Sequence, residues 1–261
     1  MHSKLLRASL FALAIGASTS AAEARADDQP DLRKLCDKWL DIIQGEKSSE
    51  MTSSMLVERP NQPVIERKMK LWAKGRDNSL TEFLEPAADK GKRFLKNGKD
   101  LWSYDPTYRR KTRIPPSLMF QGMLGSDFTY DDVVRASSLS QDYDPKLQGL
   151  SKEYKEKGYG DVYVLELTRK ANATVAYPRL ELWMQKDTNL LLKQRYYDGE
   201  GKVVRYMILY EIKDVGGRKI PTVWKMVDET KKGNQSTIVI HEAKYNDDLA
   251  NDLFTDRYLT K

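Results

Sequence analysis

The spacing of apolar residues along the chain changes once, near Gly45, from a helical period to a strand period. Leu32, Leu35, Cys36, Trp39, Leu40 and Ile43 recur at helical intervals and predict an amphipathic helix over about 30–44. Pro30 near its start and Gly45 just past its end are the expected punctuation. Beyond Gly45 the apolar residues alternate. Met55–Val57 opens a first strand, and in the next Ile65, Met69, Leu71 and Ala73 interleave with Glu66, Lys68 and Lys70. Leu80–Leu84 and Arg93–Lys96 follow, and Asn97-Gly98 is the strongest short hairpin signal in the chain. Leu101–Tyr104 resumes the sheet.

From Ile114 to Leu147 the texture differs. Pro115 and Pro116 lack the amide donors a ladder needs. Ser117–Gly125 reads as a short apolar helix and Tyr130–Ala136 as a second, with Asp127 suited to a helix N-terminus. The segment at about 114–138 is therefore expected to be a helical lid lying over the sheet. Strand patterns then return at about 149–156, 161–168, 179–186, 190–198, 203–213, 222–230 and 236–246. Turn residues separate them at Asp187-Thr-Asn189, Asp198-Gly-Glu-Gly201, Gly216-Gly217 and Lys232-Gly-Asn234. In the 203–213 strand Tyr206, Ile208, Tyr210 and Ile212 share one face and Arg205 and Glu211 the other. The expected architecture is mainly β (α+β): one domain over 27–261, a large curved antiparallel sheet with helices on its concave side. Strands and helices do not alternate as a parallel sheet requires.

The first 26 residues change the compartment. Lys4 and Arg7 precede a short apolar stretch, and Ala24-Arg25-Ala26 offers a small-x-small cleavage site. Ala8–Ala17 is about half of the ~20 residues a membrane span needs, so a cleaved signal peptide and a periplasmic protein are expected. Cys36, the only cysteine, follows charged residues and is not a lipidation site; alone it makes no internal disulfide. The chain carries 44 basic and 38 acidic residues, a net charge of +6. With the signal peptide's three basic residues and one acid removed, the remainder is +4, interspersed and without the stripe that nucleic acid demands. It leaves room for transient contact with an anionic membrane surface.

Candidate chemistry is sparse. His2 leaves with the signal peptide, and His241 lies in a strand pattern, so a zinc site or a Cys–His pair has too few ligands. No Gly-x-Ser-x-Gly elbow, Gly-x-Gly-x-x-Gly turn or Walker loop occurs. Asp131-Asp132 and Asp247-Asp248 are carboxylate pairs of the kind a hydrolase uses, but such pairs ordinarily sit in water at helix ends and turns. No cofactor, metal or catalytic residue is called for.

What stands out is apolar material beside a basic run. Phe94, Leu95, Leu101, Trp102 and Tyr104 lead into Tyr108-Arg-Arg-Lys-Thr-Arg113, and Leu118, Met119, Phe120, Met123, Leu124 and Phe128 follow. Methionine-rich apolar surface suits ligands of variable shape. The basic run reads either as a solvated strand edge or as a charged mouth, with Arg109, Arg110 and Arg113 as candidate head-group contacts.

The phrases Phe83–Gly98, Leu101–Pro106, Arg113–Ser117 and Met123–Phe128, with Ile220–Trp224 and Asn251–Thr255 further on, resemble the outer membrane lipoprotein-sorting protein family, the LolA-like carriers. The resemblance spans nearly the whole chain after residue 26. It implies an incomplete β-barrel with helices over its concave face, an apolar cavity for the acyl chains of lipids or lipoproteins, and an inner-membrane RND-type (MmpL-like) exporter as partner. Candidate cavity residues are then Ile65, Met69, Leu71, Leu84, Tyr206 and Ile208 from the strands. The lid contributes Leu118, Met119, Phe120, Met123, Leu124 and Phe128. A non-catalytic envelope sensor or adaptor of the same fold, binding a protein partner, is the alternative, and an envelope hydrolase a third.

Overall fold

The computed structural model describes residues 30–136, 139–246 and 248–261; the signal-peptide reading lies outside the described residues. Residues 31–261 form one compact unit. Among the described residues, thirteen antiparallel strands make a single open sheet. In chain order they are β1 Ser48–Glu58, β2 Ile65–Lys74, β3 Asn78–Glu85, β4 Arg93–Asn97, β5 Asp100–Asp105, β6 Arg110–Arg113 and β7 Tyr143–Leu150. Then come β8 Val162–Arg169, β9 Arg179–Gln185, β10 Leu191–Tyr197, β11 Val203–Val215, β12 Arg218–Asp228 and β13 Gln235–Tyr245. The spatial order is β6-β5-β4-β3-β2-β1-β13-β12-β11-β10-β9-β8-β7. Two meanders are thus zipped together at their first and last strands by the β1–β13 pair, from Ser49↔Tyr245 to Glu58↔Gln235. The barrel does not close, and β6 and β7 are its free edges.

The amphipathic helix forms where its pattern predicts. In α1 (Leu32–Gln44) the Asp31 carboxylate caps the start by accepting from the amides of Arg33 and Lys34, and Gly45 ends it at a positive φ of 77°. Its apolar face, Leu35, Cys36, Trp39, Leu40 and Ile43, is buried against the concave side of the sheet. The chain between β6 and β7 crosses that same side. It contains α2 (Tyr130–Arg135) and α3 (Leu139–Asp142). In α2 Thr129 and Asp132 form a reciprocal capping box, Asp132 N–H to Thr129 Oγ1 at 3.2 Å and Thr129 N–H to Asp132 Oδ2 at 2.7 Å. Segments also bury the opposite, outer face. There Trp72, Leu80 and Leu95 receive Phe254 and Leu259 of the C-terminal turn and α5 (Asp256–Leu259). Trp183, Leu190 and Leu192 pack with Tyr154 of α4 (Lys152–Glu156).

Three local expectations are corrected. The strand expected at 149–156 lies earlier, as β7, and Lys152–Glu156 is helical. Pro145 disguises β7, yet it is tolerated because β7 pairs only with β8 and needs no donor on its free side. The helix expected over 117–125 is instead two short 3₁₀ turns, Pro116–Leu118 and Met123–Gly125, separated by extended backbone at Gly122. No side chain fits at Gly122: a Cβ there would lie 1.9 Å from the Ser126 carbonyl oxygen. The first strand begins at Ser48 rather than Met55; of its inward positions before Met55, Ser49 and Ser53 carry no apolar signal and Met51 alone does.

Candidate functional site

Between the concave face, α1 and the crossing segment lies a cavity of about 190 Å³. Its floor comes from the inward rows of both meanders: Met51 of β1, Met69 and Leu71 of β2, Met207 of β11, Trp224 and Met226 of β12, and Ile238 and Ile240 of β13. Its roof is Trp39, Leu40 and Ile43 of α1 with Met123, Phe128, Val133 and Leu139 of the lid. Trp39 meets Trp224 edge to face, ring centres 6.1 Å apart. Apolar atoms dominate the lining, and five thioethers among them give it an adaptable wall.

One side of the cavity is charged and tightly cross-linked. The guanidinium of Arg205, on β11, donates to Asp132 Oδ2 at 2.7 Å, to the Asp127 carbonyl at 2.6 Å and to the Tyr177 hydroxyl at 2.9 Å. It also lies over the ring of Tyr196, 4.7 Å from its centre. Burial, the largest single influence, would lower the pKa of Arg205, but the Asp132 carboxylate with Tyr196 and Tyr177 together outweigh it and hold the proton more firmly than usual. Arg135 of α2 bridges Asp131 Oδ1 at 2.6 Å and Asp142 Oδ2 at 2.5 Å, linking α2 to the end of α3. Asp131 is 8% exposed; burial pushes its carboxyl up to about 6, against the pull of Arg135. Arg59, just past β1, adds a third fastening, donating to Asp127 Oδ2 at 2.8 Å and to the Gly125 carbonyl at 2.6 Å. Asp127 also takes a hydrogen bond from Ser236 Oγ at 2.6 Å. The lid is thus tied to both meanders through two arginines and two aspartates.

The candidate residues divide. Met69, Leu71, Met123 and Phe128 line the cavity. Met119 and Leu124 are half-buried against the same core without reaching it. Leu118 and Phe120 point to solvent from the lid, because the turn there is not the helix that would have carried them inward. Ile65 and Leu84, at strand ends, are exposed too. Tyr206 and Ile208 occupy the outer face of β11; Arg205, Met207 and Leu209 are its buried inner row. Arg113 pairs at the surface with Asp100, Arg109 sits in the exposed turn before β6, and Arg110 lines a separate hollow with Lys92, Tyr104 and Tyr108. Arg205 and Arg135 were not among the candidate site residues, and of the Asp131-Asp132 pair, expected in water, Asp131 is buried and Asp132 half-buried. The Thr129-x-x-Asp132 spacing of a capping box was the one readable clue. Among the described residues no group of three or more His, Cys, Asp or Glu is placed to hold a metal ion, and no helix is long and apolar enough to cross a membrane.

A one-sheet open barrel with a helix and a crossing lid over an apolar hollow defines the LolA-like class of fold. A family model described as "-like: Uncharacterized protein" matches residues 75–261. A DUF1329 family protein from Desulfovibrio piger superposes with a TM-score of 0.77 at 25% identity, covering 87% of this chain and 97% of that one. A putative outer membrane lipoprotein-sorting protein domain from Vibrio parahaemolyticus gives 0.74 at 22% identity, covering 88% and 98%. A LolA superfamily protein from Nitrosomonas europaea gives 0.70 at 24%, covering 87% and 98%. No curated protein matches the chain. The family model spans more than two thirds of the chain, so the chain belongs to that family, and its fold is the one shared by the DUF1329, lipoprotein-sorting and LolA-superfamily structures.

Proposed function

We propose that this protein is a periplasmic carrier that holds the acyl portion of a lipid or lipoprotein in the cavity beneath its lid. The observation that carries the reading is the lidded hollow itself, walled by Met51, Met69, Leu71, Met207 and Met226 and roofed by Trp39 and Met123. About seven methylenes buried there would contribute about 5–6 kcal/mol before ordering losses, without cofactor or nucleotide. The cavity's 190 Å³ is below the roughly 300–1,000 Å³ of sites that enclose whole small ligands, so a long chain enters only as the lid lifts. The export-signal pattern of residues 1–26 supports a periplasmic carrier, and an inner-membrane RND-type exporter is the partner from which it would receive cargo. The spread-out charge, with its many ion pairs at the surface, suits brief rather than permanent contact with a membrane.

The test is native mass spectrometry of protein purified from its own periplasm, then organic extraction and lipid identification. A stoichiometric lipid that is lost when Leu71→Trp fills the cavity is the expected outcome. Wild-type protein that arrives empty and takes up neither added phospholipid nor lipopeptide would remove the carrier reading in favour of a protein-binding adaptor.

A further inference from the structure

Three polar side chains break the apolar wall of the cavity and have no hydrogen-bond partner among the described residues. Ser53 of β1 is 4% exposed, Ser79 of β3 8% and Gln194 of β10 5%, and all three line the hollow. Thr81, two residues along β3 from Ser79 and on the same inward face, joins them half-buried. The strand neighbours of three of them are apolar: Ser53 stands between Met69 and Ile240, Thr81 between Leu71 and Phe94, and Gln194 between Met207 and Leu182, while Ser79 stands between Ala73 and Lys96. Valine or leucine would fit Ser53, Thr81 and Gln194 on local grounds, and polar groups that deep are ordinarily bonded. By contrast the cavity's charged groups already bond to one another, as Arg205 does to Asp132 and Arg135 to Asp131. The capacity left open on the sheet is therefore uncharged, three hydroxyls and one amide on its two halves, with the buried and unpartnered indole N–H of Trp39 in the roof.

We propose that the part of the ligand entering the cavity is not a bare hydrocarbon chain but carries neutral hydrogen-bonding oxygen, as the ester and hydroxyl groups of an acylglycerol-type lipid do. Ser53, Ser79 and Thr81 meet those oxygens from the β1–β3 wall and Gln194 from the β10 wall, while the methionines take the methylenes. This rests on the carrier reading and sharpens it into a selectivity. A site whose buried polar groups are satisfied only by the ligand rejects the analogue that lacks their partners, more strongly than an apolar wall rejects an added hydroxyl.

The experiment compares two probes on the full mature chain: N-phenyl-1-naphthylamine, a largely apolar dye, and 1-monodecanoylglycerol, measured by displacement of the dye below its micellar concentration. The variants are Ser53→Ala/Ser79→Ala/Thr81→Val and, separately, Gln194→Leu, each checked first for its melting temperature. The monoacylglycerol-to-dye affinity ratio is expected to fall at least about tenfold in the triple variant, equivalent to ~1.4 kcal/mol, while its unliganded melting temperature does not fall. Should the triple variant fail to fold, Gln194→Leu alone is expected to lower the ratio severalfold. A ratio that stays within about twofold in every folded variant means that these groups are merely wetted, and overturns the selectivity while leaving the carrier intact. Wild-type protein that binds neither probe removes both.

Discussion

Arg205→Met tests whether the lid is held by the buried guanidinium. The side chain of Arg205 is 7% exposed, and methionine replaces its stem with little change of volume but none of its donors. Three hydrogen bonds disappear, to Asp132, to the Asp127 carbonyl and to Tyr177. The larger loss is what stays behind: Asp132, with a side chain 18% exposed, becomes a carboxylate with no cation within reach. Breaking a buried pair from one side costs about 3–5 kcal/mol. Asp132 keeps the Thr129 amide and some water, so the lower end applies, about 3 kcal/mol. For a chain of this size that is a melting temperature about 6–12 °C lower. Asp132→Asn should cost less, about 1–2 kcal/mol, because an amide oxygen still accepts from Thr129 and leaves Arg205 two of its acceptors. Urea unfolding of wild type, both singles and the double gives a cycle with a coupling of about 2 kcal/mol expected. A loss below about 1 kcal/mol for Arg205→Met, or a coupling below about 0.5 kcal/mol, would refute the clamp.

Further expectations concern individual groups. Asp131 carries its proton up to about pH 6 when folded, against an ordinary 3.8, so the folded state binds the proton more tightly and this group's contribution to stability grows as pH falls through that window. Relative to Asp131→Asn, wild type should gain about 1 kcal/mol between pH 7 and pH 5, read as a relative melting shift of about 2–4 °C; an unchanged difference would show that Asp131 is solvated, not buried among Arg135, Asp132 and Asp142. Cys36 is fully buried in α1 and its thiol is pushed up to about 12, chiefly by that burial. It should therefore ignore a thiol-reactive disulfide reagent at pH 8 in the folded protein and react with one equivalent after unfolding in guanidinium; fast native reaction would mean that α1 does not sit on the sheet. Met207→Asp should destabilise by at least about 2 kcal/mol more than Ile208→Asp in denaturant, since only the former buries a carboxylate against the apolar floor; the reverse order would place the cavity on the other face of β11.

That last comparison shows where the sequence pattern stops. Strand existence was readable because alternation, Asn97-Gly98 and the Gly-rich turns agree with the antiparallel ladder at nearly every hairpin. Strand facing was not, because both sides of the sheet are covered. Leu80 and Leu95 are fully buried under the C-terminal turn, and Leu190 and Leu192 beside α4, so an outward row there is as apolar as an inward one. In β11 Tyr206, Ile208 and Tyr210 compete with Met207 and Leu209 on equal terms, and Arg205 tips the choice the wrong way. A charge is normally sent to water, and nothing local announces that Asp132, 73 residues earlier, will meet it. The lid failed for a related reason. Its apolar residues suggest a helix, but Gly122 lies where any side chain would strike Ser126, and Leu124 takes a left-handed turn (φ 48°). The segment bends into 3₁₀ turns and turns Leu118 and Phe120 outward.

A lid fastened by arginines as well as by its apolar face behaves differently in opening and in mutation. Truncating Arg205 strands a carboxylate in place, and the full penalty of an unpaired buried charge is felt. Lifting the lid instead moves Asp127 and Asp132 away together with the segment that carries them, and both partners of each bond meet water. A hydrogen bond exchanged for water on both sides costs only about 0.5–1.5 kcal/mol net, or about 1.5–3 when one side is charged. The apolar seal at Met123 and Phe128 adds to that, but entering methylenes re-cover the same floor of Met69, Met207 and Met226. On the carrier reading, closure without cargo is specified by the polar fork, and opening would be offset by the cargo itself, without need of a nucleotide. The geometry asks of the ligand that it replace apolar contacts in the floor while leaving the Arg59 and Arg205 anchors free to re-form above it.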